Sequence, residues 1–400
     1  MINLNVYREV KSWKKPLHAS KTYLAKSYLK LLPQIEIIGI TGSVGKTLTQ
    51  NAIVSVLSQK FKTITGDENL DPTFRIPQTI LAAKPWHQKL VLEYGIEHPG
   101  DMDHYLEIAR PKIAAVTKIS PTHTRYFKNV EGVFAEKVKL VEALDKNGYA
   151  VLNADDPQVA KMAKHTKARV IWYGAKSKNG VKISHFRESL RGSKFRLHAS
   201  GQKASVSWKV VGKHQLTSAY AAAAIGIISG VTLKQIAKGL SQTKAPQHRL
   251  NAISTKNTSI IDDTYNSSPA AAAEALVTLQ DLGKHKKKIA VLGAMLDLGM
   301  LSESAHIALG QKVAKTRIDT LVTVGKVAKF VASAAQKAGF AGKIYRATNT
   351  DDAAKFIKKI ASPKALILVK GSRHAHLERI IYALLGRETK VECYHCGILK

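Results

Sequence analysis

A short apolar run at 35–40 leads into Gly39-Ile40-Thr41-Gly42-Ser43-Val44-Gly45-Lys46-Thr47, and residues 47–59 then carry a helical pattern. Strand, glycine-rich turn and helix in that order leave few folds open. Successive backbone N–H groups at such a turn cradle phosphate oxygens, and the helix N-terminus adds positive potential. Lys46 is suited to neutralising terminal phosphates, and the Thr47 hydroxyl to ligating magnesium. The general phosphate-loop spacing asks for a glycine where Ile40 stands, so the shorter Gly42-x-x-Gly45-Lys46-Thr47 core carries the match. The expectation is a nucleoside triphosphate site built from Gly42, Ser43, Val44, Gly45, Lys46, Thr47 and Thr49.

Further strand candidates at 90–92, 113–116 and 149–152 alternate with helical patterns, which implies a mostly parallel sheet. Residues 181–211 differ. Their alternation of Phe195, Leu197, Val206, Trp208 and Val210 is that of antiparallel strands. A second α/β unit begins near Pro246, with strand candidates at 259–261, 288–292, 320–324 and 365–369. At 400 residues the chain exceeds one compact core. The expected fold is α/β: an N-terminal helical segment (1–34), a P-loop central ATPase domain with a mostly parallel sheet (35–245), and a C-terminal Rossmann-like domain (246–400).

Charge narrows the partners. With 62 Lys+Arg against 29 Asp+Glu the net charge is +33, which favours anionic ligands without choosing among them. Two cysteines exclude a disulfide scaffold and point to a reducing compartment. Cys393 and Cys396, with His395, offer three potential zinc ligands where a structural site wants four. The longest apolar stretch, 219–228, is about half a bilayer span, and the chain opens on charges where a cleavable signal needs an apolar core. A cytoplasmic monomer is expected. Residues 1–34 hold seven Lys/Arg against the single acid Glu9. On a helical wheel over 13–32, Trp13, Leu17, Leu24, Tyr28 and Leu31 share one face, with Lys11, Lys15, Lys26 and Lys30 on the other. Such a helix either docks its apolar face on the next domain, the favoured expectation, or makes weak contact with an anionic membrane surface.

The loop read as Gly-Ile-Thr-Gly-Ser-x-Gly-Lys-Thr resembles that of the Mur ligase family of ATP-dependent peptide ligases, and the resemblance continues in order along about residues 35 to 390. It takes in Asn69 to Pro77, Glu93-Tyr94-Gly95 with His98-Pro99-Gly100, and Thr117 to His123 with Phe127, Glu131 and Lys137. Asn153-Ala154-Asp155-Asp156, Gly212-Lys213-His214, Arg249 and Asp262-Asp263-Thr264-Tyr265-Asn266 follow, then Val291-Leu292-Gly293, Asp297-Leu298-Gly299 and Val369-Lys370-Gly371-Ser372-Arg373. The Tyr-Asn-x-x-Pro and Lys-Gly-Ser-Arg pieces look most like the branch that adds D-alanyl-D-alanine to a muramoyl-peptide precursor of peptidoglycan.

The resemblance implies an ADP-forming ligase that phosphorylates a carboxylate and then lets an amine attack the acyl phosphate. Two anions must meet in the first step, so catalysis rests on charge neutralisation and in-line positioning. ATP and Mg2+ are the implied cofactors. Lys46, Glu93, His123 and Lys137 are the implied catalytic residues, with Thr47, Glu93, His123 and Lys137 around the metal and Lys137 carrying a carbamate. His214, Arg249, Asp263 and Asn266 are assigned to the nucleotide, and Asn69, Lys370, Ser372 and Arg373 to substrate. Without the resemblance, Lys137 reads as one more surface lysine on a helix. Departures from the family pattern include Asp71, Pro72 and Arg75, Lys118, and Ser218 in place of an asparagine. The 34 residues before the first strand are also too few for the family's uridine-nucleotide domain, which leaves the donor's nucleotide end open. A related ligase with another acceptor, polyglutamate- or polymer-forming, is the alternative. A nucleic-acid-binding P-loop ATPase is disfavoured because no recognition module or aromatic–basic interleaving accompanies the charge.

Overall fold

The computed structural model describes residues 6–8, 11–67, 70–178 and 180–387, and the backbone of 391–393 and 397–399. Asn69 and Cys396 lie outside the described residues. The chain divides into two compact units. One comprises Met1–Arg187, Lys194–Lys209 and Gln215–Lys244; the other comprises Glu188–Ser193, Val210–His214 and Ala245–Lys400. The short segments 188–193 and 210–214 thus group with the second unit, and the N-terminal helix groups with the first rather than standing apart.

The first unit is built on six strands: β1 (Glu36–Thr41), β2 (Thr63–Thr65), β3 (Lys89–Glu93), β4 (Ile113–Val116), β5 (Tyr149–Asn153) and β6 (Arg169–Tyr173). They lie in the order β2-β3-β1-β4-β5-β6, and every pairing is parallel. Parallel strands covered on both faces are apolar throughout. Ile38 and Ile40 of β1 and Leu90, Val91 and Leu92 of β3 accordingly sit in the core. Because β1 is central, its C-terminal end delivers the glycine-rich loop to the middle of the sheet's edge, where ligands of open α/β sheets bind.

Beyond the loop, the helix Lys46–Leu57 is held by two others, Leu216–Ile228 and Leu233–Gln242, whose contact faces are small. Ala221 to Ala223 of the first are buried. A Cβ on Gly239 would come within 2.6 Å of the Ser55 carbonyl oxygen and of the Val56 Cα, so the backbones touch there without a side chain between them. The strands β7 (Lys182–Ser189), β8 (Gly192–Ala199) and β9 (Gln202–Trp208) form a three-stranded sheet joined by two-residue turns, a connection open only to antiparallel neighbours.

The second unit repeats the α/β plan. Its strands are β10 (Asn251–Ser254), β11 (Ser259–Asp263), β12 (Lys287–Leu292), β13 (Thr320–Val324), β14 (Lys343–Ala347) and β15 (Ala365–Lys370), in the order β10-β11-β15-β12-β13-β14. Within this six-stranded sheet only β10 pairs antiparallel.

The N-terminal helix, Lys15–Leu29, corrects the wheel reading. It packs on the helix Pro72–Ala82, but through Thr22, Ala25 and the Leu32 that follows it. The Thr22 hydroxyl meets that of Tyr7 at 2.8 Å, and Tyr28 Oη donates to the Ala83 carbonyl at 2.8 Å. Of the face expected to dock, Tyr28 packs against the core, while Trp13, Leu17, Leu24 and Leu31 stand in solvent.

Candidate active site

The loop between β1 and the helix Lys46–Leu57 is held from its neighbour strand. Ser43 N–H donates to the Lys118 carbonyl at 2.6 Å, the Thr117 hydroxyl donates to the Val44 carbonyl at 2.7 Å, and the Ser43 hydroxyl donates to the Ser120 carbonyl at 2.9 Å. Asn153 Nδ2 in turn donates to the Thr117 carbonyl at 2.7 Å. Gly42 has φ +144°, and a Cβ there would fall 1.9 Å from the Thr117 hydroxyl oxygen. Both facts exclude a side chain. Gly42→Ala is expected to cost about 2 kcal/mol or more of stability through backbone strain and the displaced Thr117. A thermal melt unchanged from wild type would refute it.

Glu93 ends β3 and is buried beside the loop. Thr47 Oγ1 donates to Glu93 Oε2 at 3.0 Å, Arg75 Nη2 lies 3.6 Å from the same oxygen, and Lys46 Nζ lies 4.0 Å from Oε1. Arg75 is a cation that sequence reasoning registered only as a departure. Its place in the segment ahead of Pro77 was the available signal, but nothing local fixed its direction.

Lys137, expected from the residues alone to be a surface lysine, is almost fully buried. Its pKa falls well below the ordinary lysine value, first because burial disfavours the cation and second because Lys46 is near; Glu93, Glu136 and Asp101 act against this. The adjacent Glu136 takes N–H groups of Gly100 at 2.9 Å and Met102 at 3.0 Å on one oxygen, tying this helix to the His98-Pro99-Gly100 turn.

His123 adopts a left-handed backbone (φ 53°) ahead of the short helix Thr124–Phe127. Burial, then the cations of Lys137 and Lys46, with His98, push its pKa down to about 3. Its imidazole is therefore neutral and able to serve as a ligand at ordinary pH. The sign of the linkage follows. The unfolded chain binds a proton here near pH 6.5 and the folded chain only near pH 3, so this residue withdraws stability as pH falls through that window. His123→Asn is expected to lose less stability than wild type between about pH 7 and pH 4, measured by denaturant unfolding. Parallel curves for the two proteins would overturn the assignment.

Thr49 is fully buried, its N–H donates to the Gly45 carbonyl and its hydroxyl to Ser218 at 2.9 Å, so it secures the helix that carries the loop. Ser218, noted as a departure, is its partner.

The second unit brings its own group together. Lys370 Nζ donates to Asp263 Oδ2 at 2.6 Å and to the Asn266 carbonyl at 2.9 Å, and is almost fully buried. Lys370 and Asp263 are thus paired with each other inside the second unit. Asn266 Oδ1 accepts from Ser267 N–H at 2.8 Å, and His214 Nδ1 lies 3.9 Å from Glu274 Oε2. The guanidiniums of Arg249 and Arg373 lie 4.2 Å and 4.9 Å from the ring centre of Tyr265. Tyr265 is thereby a shared platform for two cations, a role that only three-dimensional proximity reveals. Ser372 is buried, and its hydroxyl has no hydrogen-bond partner among the described residues.

A phosphate loop on a parallel sheet, a carboxylate and a threonine hydroxyl at its mouth, and a second α/β unit define a class. The Mur ligase middle domain matches residues 40–226, and the Mur ligase glutamate ligase domain matches 248–373. The chain belongs to the Mur ligase family of ATP-dependent, amide-forming enzymes. It is 32% identical to the UDP-N-acetylmuramoyl-tripeptide–D-alanyl-D-alanine ligase of Bacillus subtilis over 90% of its own length and 78% of that protein's. It is 28% identical to the enzyme of the same name from Escherichia coli, over 87% and 76%. The crystal structure of MurF from Acinetobacter baumannii superposes with a TM-score of 0.85 at 26% identity, covering 92% of this chain and 81% of that one.

Proposed function

We propose that the chain joins D-alanyl-D-alanine to a UDP-N-acetylmuramoyl tripeptide in the cytoplasm, acting as a monomer in peptidoglycan synthesis. The donor's carboxylate oxygen attacks the γ-phosphorus of ATP and ADP leaves. The dipeptide's amine then attacks the acyl carbon, inorganic phosphate leaves, and the amine gives up a proton. The observation that carries this reading is the convergence of Lys46, Thr47 and Glu93 on the phosphate loop, with Lys46 and Lys137 close enough to lower the His123 pKa. The names and extent of the relatives support the choice of substrates.

The donor set fits magnesium: a hydroxyl and a carboxylate oxygen 3.0 Å apart, and a neutral imidazole close by. No group of three His, Cys, Asp or Glu within metal-binding reach occurs among the described residues. Such a sparse set suits an ion that keeps water and substrate phosphates as ligands. Thr47, Glu93 and His123 would hold it, and when bound it would neutralise charge on the transferring phosphoryl group. Lys46 does the same from the protein side. Lys137, whose amine burial and Lys46 shift toward the neutral form, is poised to add CO2 and lose a proton, giving an anionic carbamate beside Lys46. In the second unit, Arg373 and Ser372 are assigned to the acceptor's carboxylate, and Arg249 with Asn266 to the nucleotide.

The test is ADP release by purified protein given ATP, Mg2+, UDP-N-acetylmuramoyl tripeptide and D-alanyl-D-alanine. Release is expected to need both substrates and to yield the pentapeptide. Equal ADP release without the dipeptide would make it a hydrolase; product with another amine but none with D-alanyl-D-alanine would reassign the acceptor.

A further inference from the structure

Seven large apolar side chains among the described residues are more than half exposed. Six of them, Trp13, Leu17, Tyr23, Leu24, Leu31 and Trp86, belong to the N-terminal helix region and one loop; the seventh is Met300. The loop and the helix are neighbours, since Tyr28 Oη donates to the Ala83 carbonyl and Gln34 Nε2 to the Pro85 carbonyl at 2.7 Å. Trp86 follows directly. On the helix and the turns at its two ends, Trp13, Leu17, Leu24 and Leu31 recur at spacings of four and seven and so form one stripe. The side that packs on the protein, Thr22 and Ala25, is a different one. The helix is therefore already anchored, and its apolar stripe is left over.

Charge says what covers it. Residues 10–35 contain Lys11, Lys14, Lys15, Lys21, Lys26 and Lys30 and no acid, and Lys84 adds a cation on the Trp86 loop. A second copy of the chain would set these lysines against their own kind. Lys11, Lys15, Lys26 and Lys30 lie on the other face, but Lys14 and Lys21 border the stripe, so an anionic lipid surface meets the stripe together with Lys14, Lys21 and Lys84, and tryptophan and tyrosine are the side chains that settle at headgroup depth. We propose that this face binds the surface of a bilayer containing anionic phospholipid, with the helix lying in the plane of the headgroups. No helix among the described residues is long and apolar enough to cross a membrane, so the contact is peripheral. An enzyme held this way works at the surface, and a membrane-bound enzyme that consumes its product would find it there.

The experiment is co-sedimentation of the full chain with vesicles of phosphatidylcholine, with and without about one quarter phosphatidylglycerol, at low and high salt. Binding is expected only with the anionic lipid. Each lysine near the surface is worth roughly five-fold, so raising the salt from about 0.05 M to 0.5 M should weaken binding at least ten-fold. Leu17→Glu/Leu24→Glu should reduce binding at least ten-fold, with melting temperature and ATP-dependent ligation unchanged because both side chains are exposed. Lys14→Glu/Lys21→Glu, which leaves the stripe intact, should do the same at low salt. Several outcomes would overturn the proposal: no co-sedimentation, equal binding to neutral vesicles, or binding retained in the leucine variant. A concentration-dependent dimer that the leucine variant abolishes would also overturn it, by assigning the stripe to a second copy.

Discussion

Lys46→Ala is expected to fold as wild type does and to lose about a hundred-fold or more in ligation rate, the scale set by removing a main donor to transition-state charge. The loop geometry does not depend on the side chain, because Ser43, Val44 and Gly42 are fixed by Thr117, Lys118 and Ser120. What the variant lacks is the mobile cation nearest Glu93 from the loop. Arg75, at 3.6 Å from the other Glu93 oxygen, is buried and also reaches the Asp67 carbonyl, so it cannot swing to the phosphates in its place. Single-turnover ADP formation checks this, and near-wild-type ligation by a folded Lys46→Ala protein would sink the phosphate-site assignment.

Lys137→Ala should be as damaging, for a different reason. Burial, and second the nearby Lys46, lower the pKa of Lys137 and so disfavour its cation. Its use lies in an amine that takes up CO2 and becomes an anion. The alanine variant is expected to fall at least about a hundred-fold in rate. It should regain part of that with formate or acetate, which would seat a carboxylate in the vacated space. Because removing the long side chain opens a cavity, the rescue matters more than the loss: a small acid restores a missing anion but not a collapsed core. Full activity without any added acid would leave Lys137 a packing residue.

The strands inferred from sequence, at 35–40, 90–92, 113–116, 149–152, 259–261, 288–292, 320–324 and 365–369, correspond to the interior strands of the two six-stranded sheets. In those two sheets four strands escaped notice, β2, β6, β10 and β14, and each is an edge of its sheet. An interior strand of a parallel sheet is apolar on both faces and reads as a continuous run, while an edge strand such as Arg169–Tyr173 or Lys343–Ala347 mixes exposed charge with half-buried residues. The N-terminal helix misled in the opposite sense. Its most apolar stripe was the obvious candidate for docking, yet small residues, Thr22 and Ala25, let it approach its neighbour helix closely. In the site, Lys46, Thr47 and Glu93 were legible because their chemistry is tied to a loop or a strand end. The pairing of Lys370 was not legible, because a lysine at the end of a strand carries no sign of the carboxylate it meets, here Asp263, about a hundred residues away.

The close-packed helices around Lys46–Leu57 bear on when the phosphate site acquires its order. With the backbone of that helix pressed against Gly239 and a row of alanines, the loop it carries has no slack to take up when a nucleotide arrives. The entropy of arranging those N–H groups is lost when the first unit folds rather than when ATP binds. Capture of the triphosphate should accordingly be a shape-preserving event, registered as heat released by charge and hydrogen bonding. The same arrangement makes nucleotide affinity an index of the unit's integrity: loosening the helices' contact far from the loop would dull the site before it unfolds the chain.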